Sequence, residues 1–414
     1  MKIIIAGGGI GGLTLASALR AAPFESPVQV TVLERRSLDG MLSGPGGIFI
    51  QKNAMRVFET LGDGRLARQL YAAGGLVLCG GFFSQRFKPL YVNTPSFASE
   101  KDLGVALRRP VLQRLLYEAL PAELVRPESG IASFRQEGET VVVKLESGEE
   151  LQADLLVGAD GLRSRVRAEL REQLAGDRTA SPAAGTGVRQ PPSDVPIYSG
   201  QTCWRGIFDR SRVALDSRYT WGELWGVGSR FGYFDSGGGT GCFYAFVNEA
   251  AGGKDPKGAL PALRQRFAGY ASPVPDILAS LDESKVYRDD IFDRDPPGSV
   301  WGHGSVTLLG DAAHATQPTL GQGGCMAIED AFELSRMLAN GARTQLPLVE
   351  RLRRYEAERT PRVSRVILES RKVSELANTD KPLLAWLRNV IYKLTPVSVG
   401  DRQFRWLFDY QPTW

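Results

Sequence analysis

The chain has 414 residues, 43% hydrophobic and 23% charged, the values of a globular protein long enough for two lobes. Its 50 Lys and Arg against 46 Asp and Glu leave a net charge of +4, with the cations scattered, which argues against nucleic-acid binding. Cys79, Cys203, Cys242 and Cys325 lie far apart and the only histidines are His303 and His314, so no metal site and no histidine-based triad is expected, and the thiols should be free in a reducing compartment.

Met1-Lys2 runs straight into an apolar strand, and no apolar run reaches membrane-spanning length, so the expected location is the cytoplasm. Ile3 to Ala6 is continuously apolar, as in a buried parallel strand. Gly7-Gly8-Gly9-Ile10-Gly11-Gly12 follows and satisfies G-x-G-x-x-G through Gly7, Gly9 and Gly12. A helix with Leu13, Leu15, Ala16, Ala18 and Leu19 inward comes next, then a strand from Val28 to Leu33 that ends at Glu34. Glu34 stands 22 residues beyond Gly12, where a carboxylate meets a ribose hydroxyl in dinucleotide-binding folds. Gly7 and Gly9 allow the turn and the close approach of a diphosphate, and Gly12 allows helix–strand packing. The motif alone does not separate NAD from FAD.

Gly46 to Gly62 reads as loop, short strand and helix, and Leu107-Arg108-Arg109-Pro110 opens another helix. Val141 to Leu151 alternates as a hairpin, and Leu155 to Val157 is a buried strand ending at Gly158-Ala159-Asp160-Gly161. Gly176 to Pro196 reads as a linker. Beyond it lies an aromatic, β-rich stretch. Strands are read at Ile197 to Phe208, Tyr219 to Val227, Arg230 to Asp235 and Cys242 to Glu249, with most rings in a sheet core. Leu260 to Leu281 is helical with breaks at Pro273 and Pro275, and Tyr287 to Asp293 returns toward the first lobe. Val306 to Leu309 is a strand that stops at Gly310-Asp311. A bare loop, Pro318 to Gly324, then opens an apolar helix from Met326. Strand, acid, loop and helix start together offer free N–H groups and partial positive charge to a polar ligand.

Gly310-Asp311, Pro318 and Gly321-Gln322-Gly323-Gly324 resemble the second flavin motif of the single-component (class A) flavoprotein monooxygenases, and Gly321 to Asp330 is most similar to the zeaxanthin-epoxidase-like branch. Asp160-Gly161-Leu162-Arg163-Ser164-Arg165-Val166-Arg167 matches that family's middle motif. The resemblance implies the para-hydroxybenzoate hydroxylase fold: an α/β, Rossmann-like FAD lobe with an inserted, mainly antiparallel substrate sheet and C-terminal helices. The FAD lobe would comprise 1–75, 100–175 and 288–340, the substrate lobe 76–99 and 197–287, and the helical segment 341–414. It also implies cofactor contacts from Gly7, Gly9, Ile10, Gly11, Gly12, Glu34, Arg35, Arg109, Asp160, Asp311, Gly321, Gly323 and Gly324. Arg35 would sit at the adenine end, Asp311 on the ribityl or ribose hydroxyls, and the Gly323 and Gly324 amides at the pyrimidine end of the ring.

The chemistry implied is reduction of FAD by NADPH or NADH, reaction with O2, and transfer of one oxygen atom from a flavin hydroperoxide to an apolar or aromatic small molecule. Aromatic hydroxylation and alkene epoxidation both fit. The alternative is a flavin-dependent reductase of an isoprenoid or lipid on the same fold. Arg205, in Trp204-Arg205-Gly206, is the candidate catalytic side chain, able to hold an anionic or phenolate substrate; pairing with Asp209 or Asp235 is its other reading. Leu346 to Leu376 reads as a long charged helix. After it, Leu383, Leu384, Leu387, Ile391 and Leu394 form one helical stripe, and five aromatics follow Gly400. Two readings stand for 382–414: a lid buried on the substrate lobe, which is favoured, and a peripheral membrane contact with Lys381, Arg388 and Lys393 facing headgroups.

Overall fold

The computed structural model describes residues 1–93, 104–179 and 195–414. Most of the stretch read as a linker, and the end of the 76–99 segment, lie outside these ranges. The helix Arg165–Thr179 runs into the start of that stretch.

A five-stranded parallel sheet anchors the molecule, in the order Val306–Leu308, Leu155–Gly158, Lys2–Ala6, Gln29–Leu33, Val125–Arg126. Its inner strands read Ile-Ile-Ile and Leu-Leu-Val because both faces are covered, and Ile3, Ile5, Leu155 to Val157 and Val306 are almost fully buried. The strands Lys2–Ala6, Leu155–Gly158 and Val306–Leu308 end side by side, which brings Gly7, Asp160 and Gly310 to one edge although they are far apart in sequence.

A seven-stranded sheet lies over that edge, in the order Val286–Asp293, Ile197–Asp209, Thr240–Asn248, Ser229–Asp235, Trp221–Trp225, Gly80–Ser84, Pro89–Asn93. The stretch read as returning toward the first lobe is instead an edge strand of this sheet, hydrogen-bonded to Ile197–Asp209. Alternation sorts the aromatics by face. Trp204, Phe208, Phe231, Tyr233 and Phe243 pack in one cluster with residues of the helices Ala259–Arg266 and Val274–Ser280. Arg205, Trp221, Glu223, Arg230, Tyr244 and Phe246 alternate with them and occupy the other face. A small sheet of Gly47–Ile50, Gly104–Arg108 and Gly75–Val77 bridges the two, with Phe49 4.4 Å from Phe234 between ring centroids.

The helix Leu348–Ala377 clamps both sheets. On the parallel-sheet side, the Tyr355 hydroxyl donates to the Leu308 carbonyl (3.2 Å). Buried Glu356 accepts from the Trp301 amide (3.1 Å), the Thr307 hydroxyl (2.6 Å) and Arg353 (2.7 Å). On the other side Arg371 donates to both oxygens of Asp293 (2.7 and 3.0 Å) and to Asp295 (3.0 Å).

The C-terminal stripe is not buried as a lid. The helix Pro382–Leu394 docks through Ala385, Arg388 and Tyr392, while Leu383 and Leu394 are 73% and 75% exposed and Leu384, Trp386, Leu387 and Ile391 also face outward. Sequence periodicity located the stripe correctly, but a stripe does not say which side meets the protein. Arg388 decides that, by donating to the carbonyls of Ala377 (2.6 Å) and Gly226 (3.0 Å). Among the described residues no helix is long and apolar enough to cross a membrane.

Glu356→Ala should destabilise the fold by about 3 kcal/mol, because two donors and a partly buried arginine lose their acceptor. Urea unfolding followed by circular dichroism measures this; a loss below about 1 kcal/mol would show that the long helix is held elsewhere.

Candidate active site

The cleft begins at the first strand. Gly7 has φ +111°, and a Cβ there would lie 2.5 Å from the Ala159 carbonyl oxygen; a Cβ on Gly12 would lie 2.0 Å from the Gly7 oxygen. These two glycines are packing requirements. Gly9 is different: a Cβ there meets nothing within 4 Å. Gly9 caps the helix Ile10–Ala21 with no side-chain hydrogen bond and no acid in the first turn, so no side chain caps its opening amides. A diphosphate fits such a cradle: small residues, free N–H groups and a helix dipole.

Glu34 is buried against this loop. Its carboxylate accepts from the Gly8 amide (3.0 Å) and from the amide and Nε of Arg36 (both 2.9 Å). Arg36, not Arg35, is therefore the arginine tied to the acid; Arg35 is exposed with no hydrogen bond or ion pair among the described residues. Gln113, which sequence reasoning passed over, donates to the Gly8 carbonyl (2.6 Å).

Arg109 opens the helix Arg109–Glu118, and its amide donates to the Gly46 carbonyl (3.1 Å). Water reaches the guanidinium through the cleft, yet protein surrounds it on most sides. It has no hydrogen-bond partner among the described residues. Burial lowers its pKa, Asp311 opposes that, and the nearby charges of Arg205 and Arg36 lower it further. The Arg109 guanidinium thus feels the charges of Asp311, Arg205 and Arg36.

Asp311 belongs to the second turn. Gly310 has φ +59°, its amide donates to Asp330 (2.9 Å), and exposed Asp311 starts the short helix Asp311–His314. Gly323 begins the helix Gly323–Arg343, which likewise has no side-chain cap and no acid in its first turn. A Cβ on Gly323 would be 3.8 Å from Asp311 Oδ1, so acid and helix start are neighbours. Gly321 takes φ +63°, and Gln51 Nε2 donates to the Leu320 carbonyl (2.7 Å) to hold the loop. Burial pushes the Cys325 thiol up to about 12, so it is no nucleophile.

Asp160 is brought beside Gly7, but its carboxylate serves the next helix. It accepts from the Ser164 hydroxyl (2.5 Å) and the amides of Arg165 (2.7 Å) and Val166 (3.2 Å). Arg167 in turn donates to the carbonyls of Ala312 and Ala313 (3.1 Å each), bracing the segment that carries Asp311.

The roof is the outer face of the large sheet. Arg205 pairs with Asp289 (2.5 Å) and not with Asp209 or Asp235, which bind Ser211 and Arg210. Its Nε is buried and unpartnered. Glu223, buried amid aromatics, was also missed. It accepts from Trp225 Nε1 (2.6 Å), Arg230 (3.1 Å) and the Tyr244 hydroxyl (2.6 Å), while Arg230 reaches the Thr319 hydroxyl (3.2 Å) in the glycine loop. An acid centred in Trp221-Gly-Glu-Leu-Trp225, on a strand otherwise apolar, was the available signal. Burial and Glu223 hold the Tyr244 hydroxyl far above its ordinary pKa, so it stays a donor.

Two neighbouring helix starts without side-chain caps, an arginine without a hydrogen-bond partner among the described residues and an acid beside the first glycine loop lie below an aromatic sheet. Residues 1–220 and 294–370 match the FAD binding domain family, and the chain belongs to it, among the class A flavoprotein monooxygenases. The chain is 34% identical to the aurachin C monooxygenase/isomerase of Stigmatella aurantiaca over 415 residues, covering 100% of this chain and 99% of that protein. It is 36% identical to the chloroplastic zeaxanthin epoxidase of Nicotiana plumbaginifolia over 423 residues, which cover 98% of this chain but 60% of that protein's length. Klebsiella pneumoniae HpxO, solved with FAD and uric acid, superposes with a TM-score of 0.81 at 26% identity, covering 99% of this chain and 96% of that one. The FAD assignment agrees with the family match and with HpxO.

Gly9→Val should give a folded protein that purifies without flavin, since the new side chain enters only the cradle. Gly12→Val should fail to fold, since its Cβ strikes backbone. A flavin-loaded Gly9→Val protein would remove the diphosphate from this loop. Asp330 should add a pH signature. Burial opposes its ionisation, but the charges of His314 and Arg359, with hydrogen bonds from His314 and Gly310, outweigh it and hold its pKa down at about 2. Its stabilisation should be complete above the ordinary carboxylate range near pH 4 and be lost as pH falls toward 2. Acid unfolding of Asp330→Asn against the parent protein should show that component missing.

Proposed function

We propose that this chain is a cytoplasmic FAD-dependent monooxygenase that uses NAD(P)H and O2 to insert one oxygen atom into an apolar or aromatic small molecule, by aromatic hydroxylation or alkene epoxidation. The observation that carries the reading is the slot between the two glycine loops and a sheet face of rings. In this reading the Gly7–Gly12 loop, with Ile10 and Gly11, takes the diphosphate. Glu34 takes a ribose hydroxyl, Arg109 neutralises the diphosphate, Asp311 takes ribityl hydroxyls, and the Gly321–Gly324 loop takes the ring. Asp160 acts indirectly, by fixing the chain beside Gly7. Bound FAD, once reduced, supplies the oxygen-activating chemistry.

The chain's own share is to bind, orient and exclude water. Phe234, Phe246 and Trp221 offer apolar walls, and the Glu223–Arg230–Tyr244 cluster offers one fixed polar point. Arg205 sits near the rim. Its Asp289 partner is half exposed, and such pairs contribute roughly 0–1 kcal/mol. A charge-assisted hydrogen bond to a phenolate inside the slot is worth about 1.5–3 kcal/mol, so a substrate anion would outcompete Asp289. An apolar substrate partitions into lipid, and the same reading places the enzyme at a membrane surface for part of its cycle, through residues 382–414.

Purified protein should be yellow, and a substrate screen should find compounds that stimulate NAD(P)H oxidation. The product should carry one atom of 18O from labelled O2. A reduced product without label would establish the flavin-dependent reductase instead. Arg205→Met should raise KM about tenfold for a phenolic substrate and hardly at all for a neutral alkene; equal effects on both would deny Arg205 a role in holding charge.

A further inference from the structure

The helix Pro382–Leu394 is amphipathic with its sides reversed. A surface helix turns its apolar stripe inward. Here the inward positions are Ala385, Arg388 and Tyr392, and the outward ones are Leu383, Leu384, Trp386, Leu387, Ile391 and Leu394. The docking is specific. Arg388 is buried, donates to two backbone carbonyls and lies 5.0 Å from the Trp225 ring centroid, while the Tyr392 ring is 4.7 Å from Trp225. Burial pushes the Arg388 pKa down to about 10. A chain that buries an arginine and exposes six large apolar side chains on the same helix has a use for the exposed side.

Charge points to the occupant. Residues 381–408 hold five cations (Lys381, Arg388, Lys393, Arg402 and Arg405) and one acid, Asp401, a net +4. The other 386 residues hold 45 cations and 45 acids. Asp380 and Asp409 flank the segment and Arg388 faces inward, so the positive charge offered outward is that of Lys381, Lys393, Arg402 and Arg405. Lys381, Lys393, Arg402 and Arg405 are exposed, and no acid lies between Lys381 and Gly400. A second copy of the chain would bring two such segments together against their repulsion. An anionic lipid surface meets both features, with apolar side chains at the acyl boundary, a tryptophan beside them and cations on the headgroups.

We propose that this helix docks the enzyme on anionic membrane surfaces, with the face from Leu383 to Leu394 inserted to the acyl boundary and Lys381 and Lys393 on the headgroups. The proposal rests on the apolar-substrate reading for its purpose, and on the geometry alone for its occurrence.

Flavin-loaded full-length protein would be sedimented with vesicles of phosphatidylcholine, with and without about one-third phosphatidylglycerol. Binding is expected to the anionic vesicles, weakened by salt near ~0.5 M. Leu387→Glu combined with Ile391→Glu should reduce it by about tenfold or more with flavin content unchanged, because both positions are exposed. Lys381→Glu combined with Lys393→Glu should remove the preference for anionic lipid. Three results would each overturn the proposal: no binding of the parent protein to either vesicle, binding untouched by the Glu variants, or a dimer that the Leu387→Glu, Ile391→Glu protein converts to monomer. Turnover plays no part in this readout. An enzyme that binds vesicles but inserts no oxygen would sink the chemical reading alone.

Discussion

Two consecutive carboxylates, Glu329 and Asp330, lie fully buried in the helix that begins at Gly323, and the cleft depends on how they are neutralised. Unpaired charges at that depth would each be worth several kcal/mol against folding. Asp330 accepts from Arg359 (2.7 Å), His314 (2.5 Å) and the Gly310 amide. Glu329 accepts from Asn53 (2.7 Å), Arg359 (2.9 Å) and Arg362 (2.7 Å to each oxygen). One knot thereby fixes the Gly310 turn that presents Asp311, the helix carrying Asn53, and the long helix. Arg362 also donates to the carbonyls of Trp406 and Leu407, so the C-terminal tail is tied to the same charges. These acids stand one turn or two behind the helix start; they organise the site without facing it.

The large sheet solves a second problem. An oxygen-transfer pocket must be apolar enough to exclude water yet polar enough to orient its substrate. Period-two alternation gives one face to the helical cover and frees the other for the slot. On that freed face the Glu223–Arg230–Tyr244 cluster satisfies its own charges and leans on Thr319 in the glycine loop. Roof and floor are thus registered by a hydrogen bond between a strand of one sheet and the loop after the other.

The glycine loops and the acids after them were legible because each requirement is local. A strand end, a positive φ or a close backbone contact restricts residue type at a known spacing, so Gly7, Gly12, Gly310 and Gly321 announce themselves. The β-rich insertion was legible as strands, but its neighbours were not: no local rule joins Val286–Asp293 to Ile197–Asp209, or Gly80–Ser84 to Trp221–Trp225. Side-chain partners were the least legible. Arg205 could be given an acid from sequence, but which acid depends on strand register, and register chose Asp289 on the neighbouring strand. The reversed C-terminal helix failed for a related reason. The hydrophobic pattern finds the stripe, and only the carbonyls of Ala377 and Gly226 show that Arg388 holds the inner side.

The electrostatics around the two glycine loops add a further constraint. Arg36 is held by Glu34 and Arg205 by Asp289, whereas the Arg109 guanidinium, within reach of the charge of Asp311, has no hydrogen-bond partner among the described residues. Its lowered pKa records an arginine whose charge is poorly served by the protein alone. Two helix N-termini point partial positive charge at the same region with no acidic side chain in either first turn. The helix starts and Arg109 therefore leave positive potential that no side chain serves, and an anionic ligand there would relieve it. A ligand that relieves such a deficit stabilises only the folded state, so cofactor retention and folding are linked in one equilibrium. At Gly9, where packing does not demand glycine, an added side chain would hold an anion away from the helix start.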